Sequence, residues 1–272
     1  MMQTIGMIGA GNMGGAILRG AAARGYLKAQ QLRVCDLDSN KLEALQRDLP
    51  GVICTTDPLE VARESDLLIL AVKPGVLGAL LESLRIVLMD RPVGMISIAA
   101  GWTMQMLNDA LSGTSARLMR VMPNTPALVG AGMTAVCKET TFSEEAFAYA
   151  RGIFDAVGRT VILPEKQFDG VVAISGSSPA YVFMMIEAMA DAGVAEGIAR
   201  KTAYEMAAQA VLGSALMVLN TGSHPGALKD AVCSPAGTTI DAVRELEDRG
   251  FRSAIMRAMQ ICAQKSRDMS EK

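Results

Sequence analysis

The feature that most constrains the fold is a glycine-rich turn near the start of the chain, in the stretch TIGMIGAGNMGG. An apolar, strand-like run leads into the turn, and a helical pattern follows it. In such a turn Gly9 permits a tight bend, Gly11 lets a pyrophosphate approach the backbone, and Gly14 lets helix and strand pack closely. The turn therefore predicts binding of a dinucleotide by Ile8, Gly9, Ala10, Gly11, Asn12, Met13 and Gly14. The alternative is a glycine-rich turn that binds nothing.

An acidic residue ends the next strand-like run, LRVCD, roughly 20 residues after the third glycine. A carboxylate at that place accepts hydrogen bonds from the ribose hydroxyls of NAD and repels the additional phosphate of NADP. Asp36 therefore predicts cofactor binding with a leaning toward NADH, although Arg33 and Lys41 are close enough in sequence to offset its charge. A solvated turn residue is the alternative interpretation of Asp36.

Further strand ends are expected to line the same crevice, because ligands bind beyond the carboxyl ends of parallel strands. The motifs AVKPG, SIAAG and MPNTPALVG each follow a strand-like run. They add Ala71, Val72, Lys73, Pro74, Ala99, Ala100 and Asn124 to the predicted cofactor-binding residues. Two alternatives stay open, since Lys73 suits a plain surface lysine and Asn124 suits a plain turn former.

The order of apolar runs predicts the fold class. Up to about residue 160, short strand-like runs alternate with helical stretches, and several runs are apolar at nearly every position, as in a parallel sheet covered on both faces. The predicted strands are QTIGMIG, LRVCD, GVICT, DLLILAV, VGMISIA, ARLMRVM, GMTAVC and TVILP. From Gln167 onward only helical periodicity remains, with breaks at SGSSP, NTGSHPG and CSPAGT. We predict a doubly wound α/β Rossmann-type domain over residues 1–163 and an all-helical domain over 164–272.

The composition suits a soluble globular protein, with 272 residues, 50% of them hydrophobic, 20% charged, and a net charge of −2. This balance indicates neither nucleic acid nor a membrane as partner. The most apolar helical run is interrupted by Glu187, Asp191 and Glu196, so we expect it to lie in a subunit interface and not to cross a membrane. The five scattered cysteines predict reduced thiols in a cytoplasmic protein without a metal site.

The second domain contains two stretches rich in small residues. Ser175, Gly176 and Ser177 precede a proline that fits the first turn of a helix, and the stretch serves either as a helix cap or as a set of hydroxyls facing a ligand. In CSPAGTTIDAV, Thr238 or Thr239 is placed to cap the helix that follows. The same helix N-terminus also exposes amides that suit a substrate carboxylate, which leaves one hydroxyl for a second substrate atom. Both interpretations stay open.

The stretch HPGALKDAVCSPAGTTIDAVRELEDRGFR resembles the signature of pyrroline-5-carboxylate reductases. The resemblance runs along the whole chain, because the glycine turn, AVKPG, SIAAG, MPNTPALV and SGSSPAYVF also match in order. It implies reduction of 1-pyrroline-5-carboxylate to L-proline, the last step of proline biosynthesis, with NADP(H) or NAD(H). It also implies homodimers formed by the C-terminal helices, in some relatives assembled further into decamers.

The resemblance also implies residue roles. Thr239 is similar to the family threonine that hydrogen-bonds the substrate ring nitrogen, which makes it the candidate catalytic residue. The implied substrate-binding residues are Glu165, Ser175, Gly176, Ser177, Ser234, Gly237, Thr238 and Thr239. Two positions depart from the pattern: Ala231 replaces an asparagine that contacts the cofactor in some relatives, and Asp36 stands where NADPH-preferring relatives often have a small or hydroxyl residue.

Two other functions would also suit a nucleotide-binding domain joined to a helical domain. A hydroxyacid dehydrogenase of similar architecture needs a lysine donor in its helical domain, and Lys201 and Lys229 lie in no evident active-site loop. A regulatory subunit that binds NAD(P)H without turnover would not need the intact threonine motif. His224, the only histidine, precedes Pro225 and Gly226 in a predicted turn, where a general-acid role is disfavoured.

Overall fold

Eight strands form one sheet in the computed structural model, which describes residues 3–89 and 91–270. Every strand lies where the sequence predicts one. Their bounds are β1 (Ile5–Ile8), β2 (Leu32–Cys35), β3 (Ile53–Thr55), β4 (Leu67–Leu70), β5 (Gly94–Ser97), β6 (Arg117–Met122), β7 (Gly132–Cys137) and β8 (Gly158–Leu163). Their spatial order is β3-β2-β1-β4-β5-β6-β7-β8.

One pairing departs from the predicted parallel sheet. Strands β1 to β6 pair in parallel, but β7 runs antiparallel to β6, with Val121 opposite Val136, and β8 is parallel to β7. The connection from Met122 to Gly132 is a short 3-10 turn that ends at Gly130 with φ of 70°. A connection this short joins antiparallel neighbours, whereas a parallel pair needs a crossover of a dozen or more residues.

Within the residues that the structure describes, six α-helices cover the two faces of the sheet. They are α1 (Asn12–Ala23), α2 (Ser39–Asp48), α3 (Pro58–Glu64), α4 (Pro74–Leu88), α5 (Met104–Ala110) and α6 (Glu144–Asp155). Buried residues of α1, α2 and α6 pack with Ile5 and Met7 on one face, and those of α3, α4 and α5 pack with Leu68 and Leu70 on the other. Successive strand residues point to opposite faces, so runs such as LLIL are buried on both sides. The predicted doubly wound fold is confirmed.

The chain from Glu165 onward is helical in the part that the structure describes, as predicted. The helices are α7 (Phe168–Val171), α8 (Ser178–Ala195), α9 (Arg200–Thr221), α10 (Pro225–Val232), α11 (Thr238–Asp248) and α12 (Phe251–Ser270). The predicted break at SGSSP coincides with an interruption of the regular α-helix, because Ser177 is a bend and Val172–Gly176 before it forms a π-helical turn between α7 and α8. Its wide turn keeps the chain helical while Ser177 N donates to Val172 O at 2.8 Å.

The chain divides into two compact units, one comprising the residues through Ser177 with those from Cys262 onward, the other Ser178–Ile261. The predicted domain boundary after residue 163 stays a prediction. In the second unit α8 packs along α9, yet large apolar side chains on these helices remain exposed, among them Phe183 and Met217. Two helical runs, Glu165–Ala195 and Arg200–Thr221, are long and apolar enough to span a membrane by length and composition alone, which is weak support for a span.

Candidate cofactor and substrate sites

The glycine turn between β1 and α1 is shaped by close backbone contacts. Gly9 has φ of +103°, and a Cβ there would lie 2.5 Å from the carbonyl oxygen of Ala71. A Cβ at Gly14 would lie 2.1 Å from the carbonyl oxygen of Gly9. A Cβ at Gly11 would meet nothing within 4 Å, and Gly11 precedes α1 without a side-chain cap. The turn therefore leaves open space beside uncapped helix amides, which fits the pyrophosphate of a dinucleotide.

A cavity of about 310 Å³ lies next to this turn, at the place where the strand order reverses between β1 and β4. The predicted cofactor residues that line it are Ile8, Gly9, Gly11, Asp36, Ala71, Val72 and Lys73. Cys35, Leu37, Lys41, Pro58, Val76 and Leu80 complete the lining and were not predicted as cofactor-binding residues. The predicted residues outside the lining are Ala10, Asn12, Met13, Gly14, Pro74, Ala99, Ala100 and Asn124. Their binding roles stay predictions.

The apolar part of this lining includes exposed side chains that were not predicted as cofactor-binding residues. Leu37 directly follows Asp36 and is 88% exposed, and Val76 is also largely exposed. Large exposed apolar side chains beside a cavity with a few polar groups suit the faces of a nucleotide base. Burial, followed by the neighbouring Asp36 carboxylate, raises the pKa of the Cys35 thiol to about 11, so this thiol contributes an uncharged surface.

Asp36 braces the glycine turn. Its Oδ2 accepts from the amide of Ala10 at 2.7 Å, and its Oδ1 accepts from the amide of Asp38 at 3.0 Å. Lys41 Nζ lies 3.6 Å from Asp36 Oδ1 and 3.4 Å from Asp38 Oδ2. Desolvation opposes the change, but the Asn40 amide and the Lys41 ammonium hold the pKa of Asp38 below its ordinary value. Asp36 is thus no free turn residue, because its carboxylate holds the backbone of the glycine turn and of the segment that leads into α2.

Arg33, the other cation near Asp36 in sequence, is engaged elsewhere. Its Nε donates to Glu64 Oε2 at 2.7 Å, and its Nη1 donates to two backbone carbonyl oxygens at 3.2 Å. Arg33 is not part of the cavity lining. Lys41 is therefore the nearby cation that faces the cavity.

Asn124 connects two backbone segments within the first unit. Its Nδ2 donates to the carbonyl oxygen of Ser175 at 2.9 Å, and its Oδ1 accepts from the amide of Met133 at 2.8 Å. The side chain is buried, so these bonds fix the π-helical turn against the end of β6. These two bonds are more than a plain turn former needs. The sequence around Asn124 could not reveal them, because Ser175 lies far away in the chain.

Glu165 accepts two hydrogen bonds through Oε1, from Arg120 Nη1 at 2.7 Å and from the amide of Met104 at 2.6 Å. The Arg120 guanidinium is nearly buried and lies 4.6 Å from the centre of the Phe168 ring. The Glu165 amide donates to Glu139 and is the main cause of the lowered pKa of that carboxylate. Arg120 was not predicted as a site residue, although a charged residue inside an apolar strand is a signal of a paired, buried group. The role of Glu165 in substrate binding stays a prediction.

Ser175 and Ser177 both form side-chain hydrogen bonds within the first unit. Ser175 Oγ donates to the carbonyl oxygen of Val171 at 3.1 Å, and Ser177 Oγ accepts from the Cys262 thiol at 3.2 Å. Gly176 lies close to Met122: a Cβ added at Gly176 would be 3.2 Å from the Met122 methyl carbon. Ser177 therefore joins this turn to α12, Gly176 packs it against β6, and the predicted substrate contacts of all three residues stay predictions.

The threonine motif follows a tight turn. The Gly237 amide donates to the Ser234 carbonyl oxygen at 3.0 Å, and Ala236 between them has φ of 57°. Pro235 at the second position and positive φ at the third are typical of a type II turn. A Cβ at Gly237 would lie 2.4 Å from Ser234 Oγ, so Gly237 is required by space. Strain at Ala236 is of the kind that clusters at ligand-binding segments.

The structure contradicts the prediction that Thr238 or Thr239 caps the following helix. Helix α11 begins at Thr238, its N-cap is Gly237, and no side chain caps it. Both threonines lie inside the first turn, where a hydroxyl cannot reach the helix-start amides as an N-cap side chain does. Within the described part of the chain neither hydroxyl has a hydrogen-bond partner, and the first amides of α11 are free donors.

His224 has the capping role that the threonines lack. It is the N-cap of α10, and its Nδ1 accepts from the amide of Gly226 at 3.0 Å. This bond supports the interpretation of His224 as a turn residue. Ala231 lies exposed in α10, and we assign it no role. In the residues that the structure describes, no group of three His, Cys, Asp or Glu side chains is placed to hold a metal ion.

Comparison with known proteins identifies similar sequences over the whole chain. A family model described as pyrroline-5-carboxylate reductase dimerisation matches residues 165–269, and one described as NADP oxidoreductase, coenzyme F420-dependent, matches residues 4–101. The pyrroline-5-carboxylate reductase of Escherichia coli K12 is 48% identical over 271 residues, covering 100% of both chains. That of Methanosarcina acetivorans is 43% identical and covers 99% of both.

Solved structures agree with these sequence matches. The pyrroline-5-carboxylate reductase of Coxiella burnetii aligns with a TM-score of 0.90 at 32% identity, covering 100% of both chains. The Plasmodium falciparum pyrroline carboxylate reductase with NADP bound aligns with a TM-score of 0.88 at 30% identity, covering 98% of both chains. The similarity therefore extends over both the sheet and the helical region.

Proposed function

The chain belongs to the pyrroline-5-carboxylate reductase family, and from that premise we propose that it reduces 1-pyrroline-5-carboxylate to L-proline, the last step of proline biosynthesis. The observation that carries the proposal is the 48% identity to a curated reductase over the full length of both chains. The cofactor is NADPH or NADH. The reduced nicotinamide supplies the hydride that reduces the imine carbon.

The first unit holds the cofactor. The uncapped amides at the start of α1 bind the pyrophosphate, and Gly11 leaves the space that this close approach needs. Asp36 accepts from the adenosine ribose while bracing the turn through Ala10. Lys73 precedes α4, whose N-terminus also lacks a side-chain cap. Pro74 has no N–H and the Val76 amide donates to the Lys73 carbonyl oxygen, so in this first turn the Gly75 amide is left for the same ligand. The predicted contacts of Ala99, Ala100 and Asn124 belong to this proposal.

The second unit holds the substrate. The free amides at the start of α11, beginning at Thr238, bind the substrate carboxylate, since a helix N-terminus favours negative charge. Gly237 and Ser234 shape the turn in front of them. The hydroxyl of Thr239 hydrogen-bonds the ring nitrogen and orients it, or relays a proton to it. The pyrroline nitrogen is basic enough to arrive protonated, so the imine brings the proton that the amine keeps and no strong protein acid is needed. The site then works mainly by holding two bound molecules in reacting geometry.

The apolar surface of the helical unit supports a homodimer. Phe183 is 63% exposed and Met217 is 51% exposed, and such surfaces are typical of obligate interfaces. The match to a dimerisation family over residues 165–269 includes the helices that carry these side chains. We propose that a second copy covers it, that the protein is cytoplasmic, and that dimers assemble further into decamers.

The activity is tested by following the oxidation of NADPH and NADH by the purified chain with 1-pyrroline-5-carboxylate. Turnover with either cofactor and formation of L-proline support the proposal. Tight cofactor binding without turnover would support the nucleotide-sensing alternative instead. Turnover of a hydroxyacid, with none of the imine, would overturn the proposal.

The assembly is tested by light scattering after size-exclusion chromatography. We expect at least twice the mass of one chain, and we expect Phe183→Glu to reduce it. Ile86→Glu is the matched control, because Ile86 is 73% exposed on α4 and lies outside the dimerisation match. Equal effects of both substitutions would contradict a dimer through the helical unit.

A further inference from the structure

We propose that Lys41 sets the cofactor choice of this protein by binding the 2′-phosphate of NADPH, so that the site accepts NADPH in spite of Asp36. The inference rests on the proposed cofactor site and adds to it the group that distinguishes the two cofactors. An acid at the end of the second strand ordinarily selects NADH, and acceptance of NADP requires a cation nearby. The geometry around Asp36 supplies one.

The carboxylate of Asp36 has several donors already. Backbone amides of Ala10 and Asp38 donate to its two oxygens, and the Lys41 ammonium lies 3.6 Å away. These groups disperse its negative charge, so a phosphate at the cavity rim meets less repulsion than from a free carboxylate. The ribose hydroxyls of NADH can still donate to Asp36, because each carboxylate oxygen accepts more than one hydrogen bond.

Lys41 is placed to respond to a phosphate. Its Nζ lies 3.6 Å from Asp36 and 3.4 Å from Asp38, both longer than the 2.7–3.2 Å of a direct N–H···O hydrogen bond. The side chain is 47% exposed and lines the cavity beside Asp36 and Leu37. An ammonium shared by two carboxylates without a short bond to either is free to turn toward a more strongly charged anion.

The other nearby cations do not have this position. Arg33 is bound to Glu64 and to two carbonyl oxygens and does not line the cavity. Lys73 lines the cavity at the start of α4, beyond β4, whereas Lys41 and Asp36 both follow β2. Lys41 is therefore the cation that shares the position of the ribose acceptor.

The experiment measures equilibrium binding by calorimetry, with NADP⁺ and NAD⁺ and with their fragments adenosine 2′,5′-bisphosphate and AMP. For Lys41→Gln we expect about a tenfold loss of affinity for the two ligands with a 2′-phosphate and less than about twofold for the other two. Lys41→Arg should retain the affinity. The difference between wild type and Lys41→Gln should shrink as salt rises, because the ion pair is partly exposed.

Arg47→Gln is the matched control, because Arg47 is an exposed cation on the same helix outside the cavity lining. It should leave all four affinities within about twofold. Equal losses for all four ligands in Lys41→Gln, or no loss, would overturn the inference. Because binding is measured without turnover, a 2′-phosphate effect in a chain that does not reduce the imine would leave the inference standing and remove the proposed activity.

Discussion

Two consecutive helices of the helical unit begin in different ways. Helix α10 is capped by the His224 side chain, whereas α11 starts after Gly237 with no side-chain cap, although two threonines stand at its start. A cap satisfies one of the amides that a helix leaves unpaired, and removing such a cap costs about 1 kcal/mol. Helix α11 therefore lacks the stabilisation that a side-chain cap would give, although two threonines lie next to its N-cap Gly237.

Helices α1 and α4 resemble α11 in this respect. Both lack a side-chain cap and both begin at the proposed cofactor site, whereas Asp38, Asp57, Thr103 and Ser143 cap α2, α3, α5 and α6. Helix α9 also lacks a cap, so a missing cap is no proof of a ligand. Together with the strained Ala236, the uncapped start of α11 supports the proposal that this segment binds the substrate carboxylate.

The largest effect that follows from this comparison is expected for Thr239→Val. Turnover should fall about 100-fold, because the hydroxyl that orients the ring nitrogen is lost. The free energy of unfolding should stay within about 0.5 kcal/mol, because no cap is removed and valine and threonine have similar helix propensities. Steady-state kinetics and denaturant unfolding at one chain concentration measure the two quantities.

Thr238→Val is the matched control for Thr239→Val. It makes the same change one position earlier, where the proposal uses the backbone amide and not the hydroxyl. We expect turnover within about threefold of wild type. Equal losses in both variants would assign the effect to the altered turn, and full activity of Thr239→Val would remove Thr239 from the mechanism.

The threonine motif also marks the limit of sequence-based prediction. The pattern TTID is compatible with a cap and with a ligand site, and only the position of Gly237 at the N-cap separates them. The strands, the doubly wound sheet and the glycine turn could be predicted because each depends on local periodicity or on backbone space. The antiparallel β7 could not, because its pairing depends on how the chain leaves Met122.

Other parts of the site depend on partners far apart in the sequence. Arg120 pairs with Glu165, and Asn124 with the carbonyl of Ser175, across many residues and several elements. In the sequence, Arg33 and Lys41 are both close to Asp36 and could not be told apart as its neighbours. The fold separates them, since Arg33 lies on β2 and is bound to Glu64.

An intermediate effect is expected for His224→Ala. The helix start of α10 loses its cap, so the free energy of unfolding should fall by about 1 kcal/mol. Turnover should remain unchanged, because the proposed mechanism uses no histidine. His224→Asn should restore most of the stability, since asparagine is a good N-cap residue. A large loss of turnover in His224→Ala, with a changed pH profile, would contradict the assignment as a cap and favour a general acid.

The smallest effect is expected at Ala236, and its sign is informative. A non-glycine residue at φ of 57° is strained by about 1–2 kcal/mol, and glycine removes this strain at an entropic cost of about 0.5–1 kcal/mol. Ala236→Gly should therefore raise the free energy of unfolding by about 0.5 kcal/mol. Ala242→Gly, an exposed position within α11, should lower it by about 1 kcal/mol.

If the strain at Ala236 also holds the first amides of α11 in place for the carboxylate, Ala236→Gly should raise KM for the imine more than it lowers kcat. A gain in stability with unchanged KM would mean that the strain does not serve substrate binding, whereas a loss of stability would contradict the left-handed conformation itself.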